Sequence, residues 1–355
     1  MNIAFFIAHP SQYYLFKESA AQLCKKHNII LIYFEKDMIS DLIKNDPYNV
    51  KTYCIKTIAS NNISGTVLNL LKKEFNLYKI AKDHNIELFV GTSVAIAHVG
   101  RLLGAKSIIF TEDDVDVTHL SAKIGYPFCN HIVSPAICNL GKWEKKGVKY
   151  QGYQKLSYLH PTKFQYLNNF NINEMNFDEK FFLLRFSNLS AHHDIGIGGI
   201  TDELAKKIIE ILSIKGRVYI SSERQLTTHF EKYKLKIDPT KIHQVLARAN
   251  LLISDSQSMS VEAAMLGVPS IRFSDFSGRI SVLEELEHKY CLTFGIKTSE
   301  SEKLLETINE LLSISSDLSA IFQTRRDIML KDKIDVSSFI TKLIDTYPRS
   351  INSLG

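Results

Sequence analysis

The sequence predicts an α/β protein made of two doubly wound parallel-sheet domains facing a cleft. Three observations predict it. A chain of 355 residues exceeds the usual size of one compact domain. Short apolar runs alternate with stretches whose apolar residues recur at three- and four-residue spacings, the rhythm of a parallel sheet covered on both faces. That rhythm stops in a loop-rich stretch and then restarts.

In the first half, strands are expected over 3–8, 29–34, 88–91, 107–110 and 131–133, with helical patterns between them such as 15–26 and 67–83. Residues 151–178 hold Pro161 and many Asn, with little periodicity, and contain the linker. The second half offers strands over 181–186, 217–221, 251–254 and 269–273. Helices are expected over 201–212, 244–249 and 260–266, and two more close the chain around 301–312 and 336–347. The domain bounds drawn from this are 1–160, a linker over 161–178, 179–335, and a C-terminal helix over 336–355 that packs back on the first domain.

A composition of 45% hydrophobic and 23% charged residues suits a soluble protein with true cores. No apolar run approaches the ~20 residues of a membrane span. The run over 2–8 is too short for a signal peptide, has no basic region before it, and reads as a buried first strand. Five scattered cysteines without a C-x-x-C pair argue against a metal cluster or disulfide framework and fit a reducing cytoplasm. Of the net charge of +5, residues 1–170 carry 20 Lys/Arg against 13 Asp/Glu, and the remainder 23 against 25. A basic first half suits a solvated surface, or contact with anionic lipid head groups or a phosphorylated acceptor. No basic stripe is interleaved with aromatic residues, so nucleic acid is not expected as a partner.

Open parallel sheets bind ligands beyond the carboxyl ends of their strands, and the loops there are where chemistry is sought. The segment from Leu251 to Ala264 runs from a buried strand through Asp255, Ser256, Gln257 and Ser258 into a helix carrying Glu262. Free amides at that helix start favour a phosphate, Ser256 and Ser258 add hydroxyl donors, and Glu262 suits a ribose diol. Ordinary N-capping by Asp255 or Ser256 is the other reading. After the first strand come His9, Gln12 and Tyr13, where His9 suits a phosphate or proton contact or a helix cap. Glu112, Asp113 and Asp114 follow the strand over 107–110. They form a solvated turn or supply a carboxylate that takes a proton from an acceptor hydroxyl. Arg185, Asn188, His192 and His193 follow the first strand of the second half. Ser222 and Glu223 follow the next one, His243 stands just before the helix at 244–249, and Arg279 follows the strand over 269–273.

The Asp255 segment, continuing through Gly267, Pro269 and Arg272, resembles the nucleotide-binding signature of UDP-GlcNAc 2-epimerases and GT-B glycosyltransferases. In that signature an Asp-Ser-Gly-Gly turn holds the diphosphate and a later Glu the ribose. Asp255, Ser256 and Glu262 match, and Gln257 and Ser258 replace the glycines. A closer resemblance covers most of the chain. It is to an uncharacterised family of archaea and bacteria classed beside those enzymes as a domain of unknown function. It rests on His9-Pro10 through Phe16-Lys17, Tyr158 to Pro161, Leu184-Arg185-Phe186 with His192 to Gly196, Ile220 to Glu223, Lys241 to His243, and the Asp255 segment.

The resemblance implies a GT-B-like fold of two Rossmann-like domains, with the acceptor on residues 1–160 and a nucleotide-sugar on 179–335. It places Arg185, Asn188 and His192 near the diphosphate or sugar and Ser222, Glu223 and His243 at the base, while Arg279, by its charge, neutralises the leaving diphosphate or is a surface arginine. It implies Tyr13, Gln12 and Asp114 at the acceptor side, with Gln12 where related proteins carry a histidine. It implies no metal and no cofactor beyond the nucleotide-sugar donor.

A glycosyltransferase is therefore expected, with Glu112, Asp113 or His9 taking the acceptor's proton. The donor is a nucleoside-diphosphate sugar, UDP favoured. The acceptor is a glycan or lipid-linked group of surface polysaccharide synthesis, met in the cytoplasm or at the inner face of the membrane. Two glutamates seven residues apart, a mark of retaining enzymes, are absent because Ser254 stands at that distance before Glu262. A 2-epimerase is the alternative, weakened by Thr92 where those enzymes place an aspartate. A non-catalytic nucleotide-sugar binder is the third reading.

Overall fold

The structure, a computed structural model, describes residues 1–35, 39–44, 48, 50–56, 63–167, 179–187, 198–314 and 317–352. By its contacts the chain divides into two compact units, Met1–Tyr158 with Ile334–Gly355, and Leu159–Lys333.

The first unit holds a seven-stranded sheet, parallel throughout. Its strands are β1 (Asn2–Ile7), β2 (Asn28–Phe34), β3 (Lys51–Ile55), β4 (Leu88–Gly91), β5 (Lys106–Phe110), β6 (His131–Pro135) and β7 (Gly147–Tyr150), in the order β3-β2-β1-β4-β5-β6-β7. Helices α1 (Pro10–Leu23), α2 (Ile39–Lys44), α3 (Ile63–Asp83), α4 (Ala95–Leu103), α5 (His119–Gly125) and the short α6 (Leu156–Leu159) connect or follow the strands. β1 is apolar after Asn2 because helices cover both of its faces. Pro10 starts α1 with φ already preset and no amide to satisfy.

The second unit holds a five-stranded parallel sheet of β8 (Phe181–Phe186), β9 (Arg217–Ser222), β10 (Leu251–Ser254), β11 (Ser270–Phe273) and β12 (Phe294–Ile296), ordered β12-β11-β10-β8-β9. Its helices are α7 (Asp202–Ser213), α8 (Ile242–Leu246), α9 (Gln257–Leu266), α10 (Ser281–Glu284), α11 (Ser301–Ser313) and α12 (Leu318–Asp332). The chain then returns to the first unit as α13 (Val336–Asp345) and α14 (Arg349–Asn352). Each unit encloses its own core, around Phe6, Ile32 and Phe89 in the first and Phe186, Ile253 and Phe273 in the second.

Three strands escape the apolar-run signal. β3 and β7 lie at sheet edges and expose part of their side chains, and β12 has only three residues. α12 lacks a clear apolar pattern too, since its buried side is Phe322, Arg326 and Met329 among charged neighbours. Helix starts move as well: α1 begins at Pro10 rather than 15 and α3 at Ile63 rather than 67. α9 begins at Gln257 rather than 260, and α8 covers Ile242–Leu246 rather than 244–249.

Candidate functional site

In a doubly wound sheet a crevice opens where the strand order reverses. In the second unit that point lies between β8 and β10, so the residues after Phe186 and Ser254 define it. Asp255 sits there with 2% of its surface exposed. It accepts hydrogen bonds from the Ser187 amide at 2.6 Å, the Ser187 hydroxyl at 2.7 Å and the Ile200 amide at 3.3 Å. Burial raises its carboxyl pKa against the opposing pull of those donors. In the structure this carboxylate, expected at the diphosphate, staples the loop after β8 to the end of β10.

The next residues form the accessible turn. Ser256 caps α9, its hydroxyl accepting from the Met259 amide at 3.4 Å while its own amide donates to Ser254 Oγ at 2.8 Å. The amides of Gln257 and Ser258 open the helix, where no preceding turn supplies an acceptor. Ser256, Gln257 and Ser258 are half-buried, within reach of a ligand.

Behind the turn stands a charge that sequence reading did not single out. Arg272 on β11 is fully buried. Its Nη1 donates to Gln257 Oε1 at 3.0 Å, and Gln257 Nε2 donates to Ser274 Oγ at 2.8 Å. Nη2 faces Glu284 Oε1 at 3.4 Å and Glu287 Oε2 at 3.7 Å. Burial lowers the guanidinium pKa, with Glu287 and Glu284 opposing that shift. Gly295 makes the cluster possible, because a Cβ there would stand 2.7 Å from both Arg272 Nη2 and Glu287 Oε2. A charged residue inside the four-residue strand SIRF was the signal that could have revealed it. Gln257 thus uses the position of a signature glycine to tie the turn to a buried cation.

Glu262 and His243 meet across α9 and α8, Oε1 and Nε2 3.3 Å apart and both buried. His243 is corrected in position, lying inside α8 rather than before it. Arg185 leaves the end of β8 toward β9, donating to Ser221 Oγ at 2.7 Å and pairing closely with Glu223. Ser222 Oγ donates to the Arg224 carbonyl at 2.6 Å. Arg279 is exposed beside the Phe276 ring at 5.5 Å. Asn188, His192 and His193 lie outside the described residues.

In the first unit, His9 caps α1, Nδ1 accepting from the Ser11 amide at 3.2 Å. Gln12 Oε1 accepts from the Ala8 amide at 2.7 Å and closes the end of β1. Tyr13 is buried against Tyr14. Glu112, expected as a base together with Asp113, has both its oxygens engaged. Lys155 Nζ donates to Oε2 at 2.9 Å, and the Gln154 amide to Oε1 at 2.5 Å. Asp114, expected at the acceptor side, is buried and accepts from the Asn139 amide at 2.7 Å. Asp113, between them, stays half-buried. Among the described residues, no group of three or more His, Cys, Asp or Glu gathers as a metal site.

Two parallel α/β units with these strand orders define a GT-B fold, the architecture of UDP-GlcNAc 2-epimerases and GT-B glycosyltransferases. Within that class, the chain belongs to the family described as Protein of unknown function (DUF354), whose model matches residues 14–338. The S. aureus MnaA–UDP co-structure is similar over 99% of this chain and 98% of its own, with a TM-score of 0.71 and 12% identity. UDP-GlcNAc 2-epimerase from Neisseria meningitidis bound to UDP-GlcNAc is similar over 98% and 100%, with a TM-score of 0.63 and 10% identity. The kitacinnamycin glycotransferase is similar over 98% of both chains, with a TM-score of 0.64 and 10% identity. No curated protein matches the chain. No helix among the described residues is long and apolar enough to cross a membrane.

Proposed function

We propose that the chain is a glycosyltransferase that holds a nucleoside-diphosphate sugar, UDP favoured, on its second unit and passes the sugar to a glycan or lipid-linked acceptor. The carrying observation is the turn at Ser256, Gln257 and Ser258, placed at the sheet's reversal point with its first amides directed out of α9. Arg272 behind Gln257 braces that turn from within the unit, its own charge met by Glu284 and Glu287. Two solved structures of the same fold carry UDP or UDP-GlcNAc, which supports the choice of nucleotide.

In this reading Glu262 receives the ribose diol, its carboxylate oriented by His243. The acceptor hydroxyl attacks the anomeric carbon, the diphosphate leaves toward the α9 turn, and Asp113 takes the hydroxyl proton. Glu112 and Asp114 beside it hold the loop in place. The work is done in the cytoplasm, at the inner face of the membrane where a lipid-linked acceptor resides.

The test is a thermal-shift panel of nucleoside diphosphates followed by labelled UDP- and GDP-sugars with and without acceptor. A ligand at 100 times its dissociation constant adds ~2.7 kcal/mol of stability, so one nucleotide should stand out. Acceptor-dependent release of UDP supports the transferase. Epimer formed without acceptor would replace it with an isomerase, and tight binding without turnover with a binder. Asp113→Asn should lower kcat by about 10²–10⁴ with UDP affinity unchanged.

A further inference from the structure

Three neighbouring helices of the first unit turn apolar side chains to solvent. Leu71 and Phe75 on α3 are each 57% exposed, Leu102 on α4 75%, and Leu120 on α5 58%, with Ile124 and Phe128 close behind. Single exposed apolar residues are ordinary, but a contiguous set marks an interaction surface.

His98 on α4 shows that the set is contiguous. Its Nδ1 meets Glu74 of α3 at 2.8 Å, its Nε2 meets the Ile124 carbonyl of α5 at 2.8 Å, and its ring stands edge-on to Phe128 at 5.3 Å. On a helix Glu74 and Phe75 each stand one turn beyond Leu71, on either side of it, and Leu102 is one turn beyond His98. The face is also basic. Lys72, Lys79, Arg101 and Lys123 are exposed on the same helices, and Lys79 lies over the Phe75 ring at 4.6 Å. Of the acids on these described surfaces, Glu74 is engaged with His98, leaving Asp83.

We propose that this face docks on an anionic lipid bilayer. Its aromatic and aliphatic tips enter the interface while the lysines and Arg101 meet the head groups. Apolar side chains flanked by long basic ones are the combination that binds such a surface, the apolar area adding to the electrostatic attraction. A second copy of the chain is a poor occupant, because pairing this face with itself would oppose like charges. The excess of 20 Lys/Arg over 13 Asp/Glu in residues 1–170 points the same way. The proposal goes beyond the nucleotide site and does not depend on it.

The full chain should float with vesicles of phosphatidylglycerol and phosphatidylcholine in equal parts, not with phosphatidylcholine alone, and salt should weaken the association. Phe75→Ser with Leu120→Ser, and separately Lys79→Glu with Lys123→Glu, should each lower binding at least about tenfold. Lys142→Glu with Lys145→Glu, on another basic stretch of the unit, should leave it unchanged. All positions changed are at the surface, and far-UV circular dichroism checks each fold; the charge pair decides the matter if the apolar pair misfolds. Three results would overturn the proposal: face variants that bind like wild type, equal binding to both vesicles, or loss confined to the Lys142/Lys145 variant. Dimerisation abolished by Phe75→Ser with Leu120→Ser would reassign the face to a second copy.

Discussion

At the scale of residues, the region around α9 shows how one side chain serves two purposes. Gln257 contributes a backbone amide to the turn and an amide side chain to the bridge between Arg272 and Ser274. The two are separable. Gln257→Ala removes the bridge, whereas Gln257→Pro also removes the amide, and Ser256 before it has the extended ψ of 121° that a following proline requires. The Pro variant should bind UDP about 10–100-fold more weakly than the Ala variant, the range of a hydrogen bond to a charged group, as read by calorimetric titration. Arg272 carries the larger structural consequence. Arg272→Met leaves the half-buried Glu284 and Glu287 without their cation and should lower the urea midpoint, by less than the about 3–5 kcal/mol of a fully buried pair.

At the scale of elements, His98 ties α3, α4 and α5 together and makes a pH prediction. Both ring nitrogens face acceptors, Glu74 and the Ile124 carbonyl, and only the doubly protonated ring can donate to both. Burial opposes the cation, but the Ile124 carbonyl and Glu74 outweigh it and raise the pKa above the ordinary 6.5. The folded ring binds its proton more tightly than the unfolded one. The stability it contributes is therefore complete below 6.5 and lost as pH rises through the raised folded value. The urea midpoint of the wild type should fall across that window, and that of His98→Gln should fall less.

At the scale of the whole molecule, the first unit is discontinuous in sequence. α13 returns from residue 336 to lay Val336, Ile340, Leu343 and Ile344 in the core, and Ser19 Oγ donates to the Ser337 carbonyl at 3.0 Å. Tyr150 of β7 stacks with Phe339 at 5.1 Å. Ile340→Ala, on a helix whose Ser337 meets Ser19 across 318 residues of sequence, should cost about 2–5 kcal/mol. Chemical denaturation would show the loss as a lower midpoint with the slope kept.

By itself the sequence determined where the principal strands run, that they pair in parallel, and which loops follow their carboxyl ends. Those properties depend on local periodicity and on the apolar character of strands covered on both faces, and 88–91, 181–186 and 251–254 coincide with β4, β8 and β10. Edge strands such as β3 escaped because a half-exposed strand lacks that character. Only the tertiary structure decided which polar residues stay available and which hold the fold. Asp255 is taken up by Ser187, 68 residues away, and Glu112 by Lys155, 43 residues away, while Arg272 emerges as the charge behind the turn. The reason is physical: a carboxylate's fate depends on the donors that burial brings to it, and those come from distant segments that no local pattern brings together.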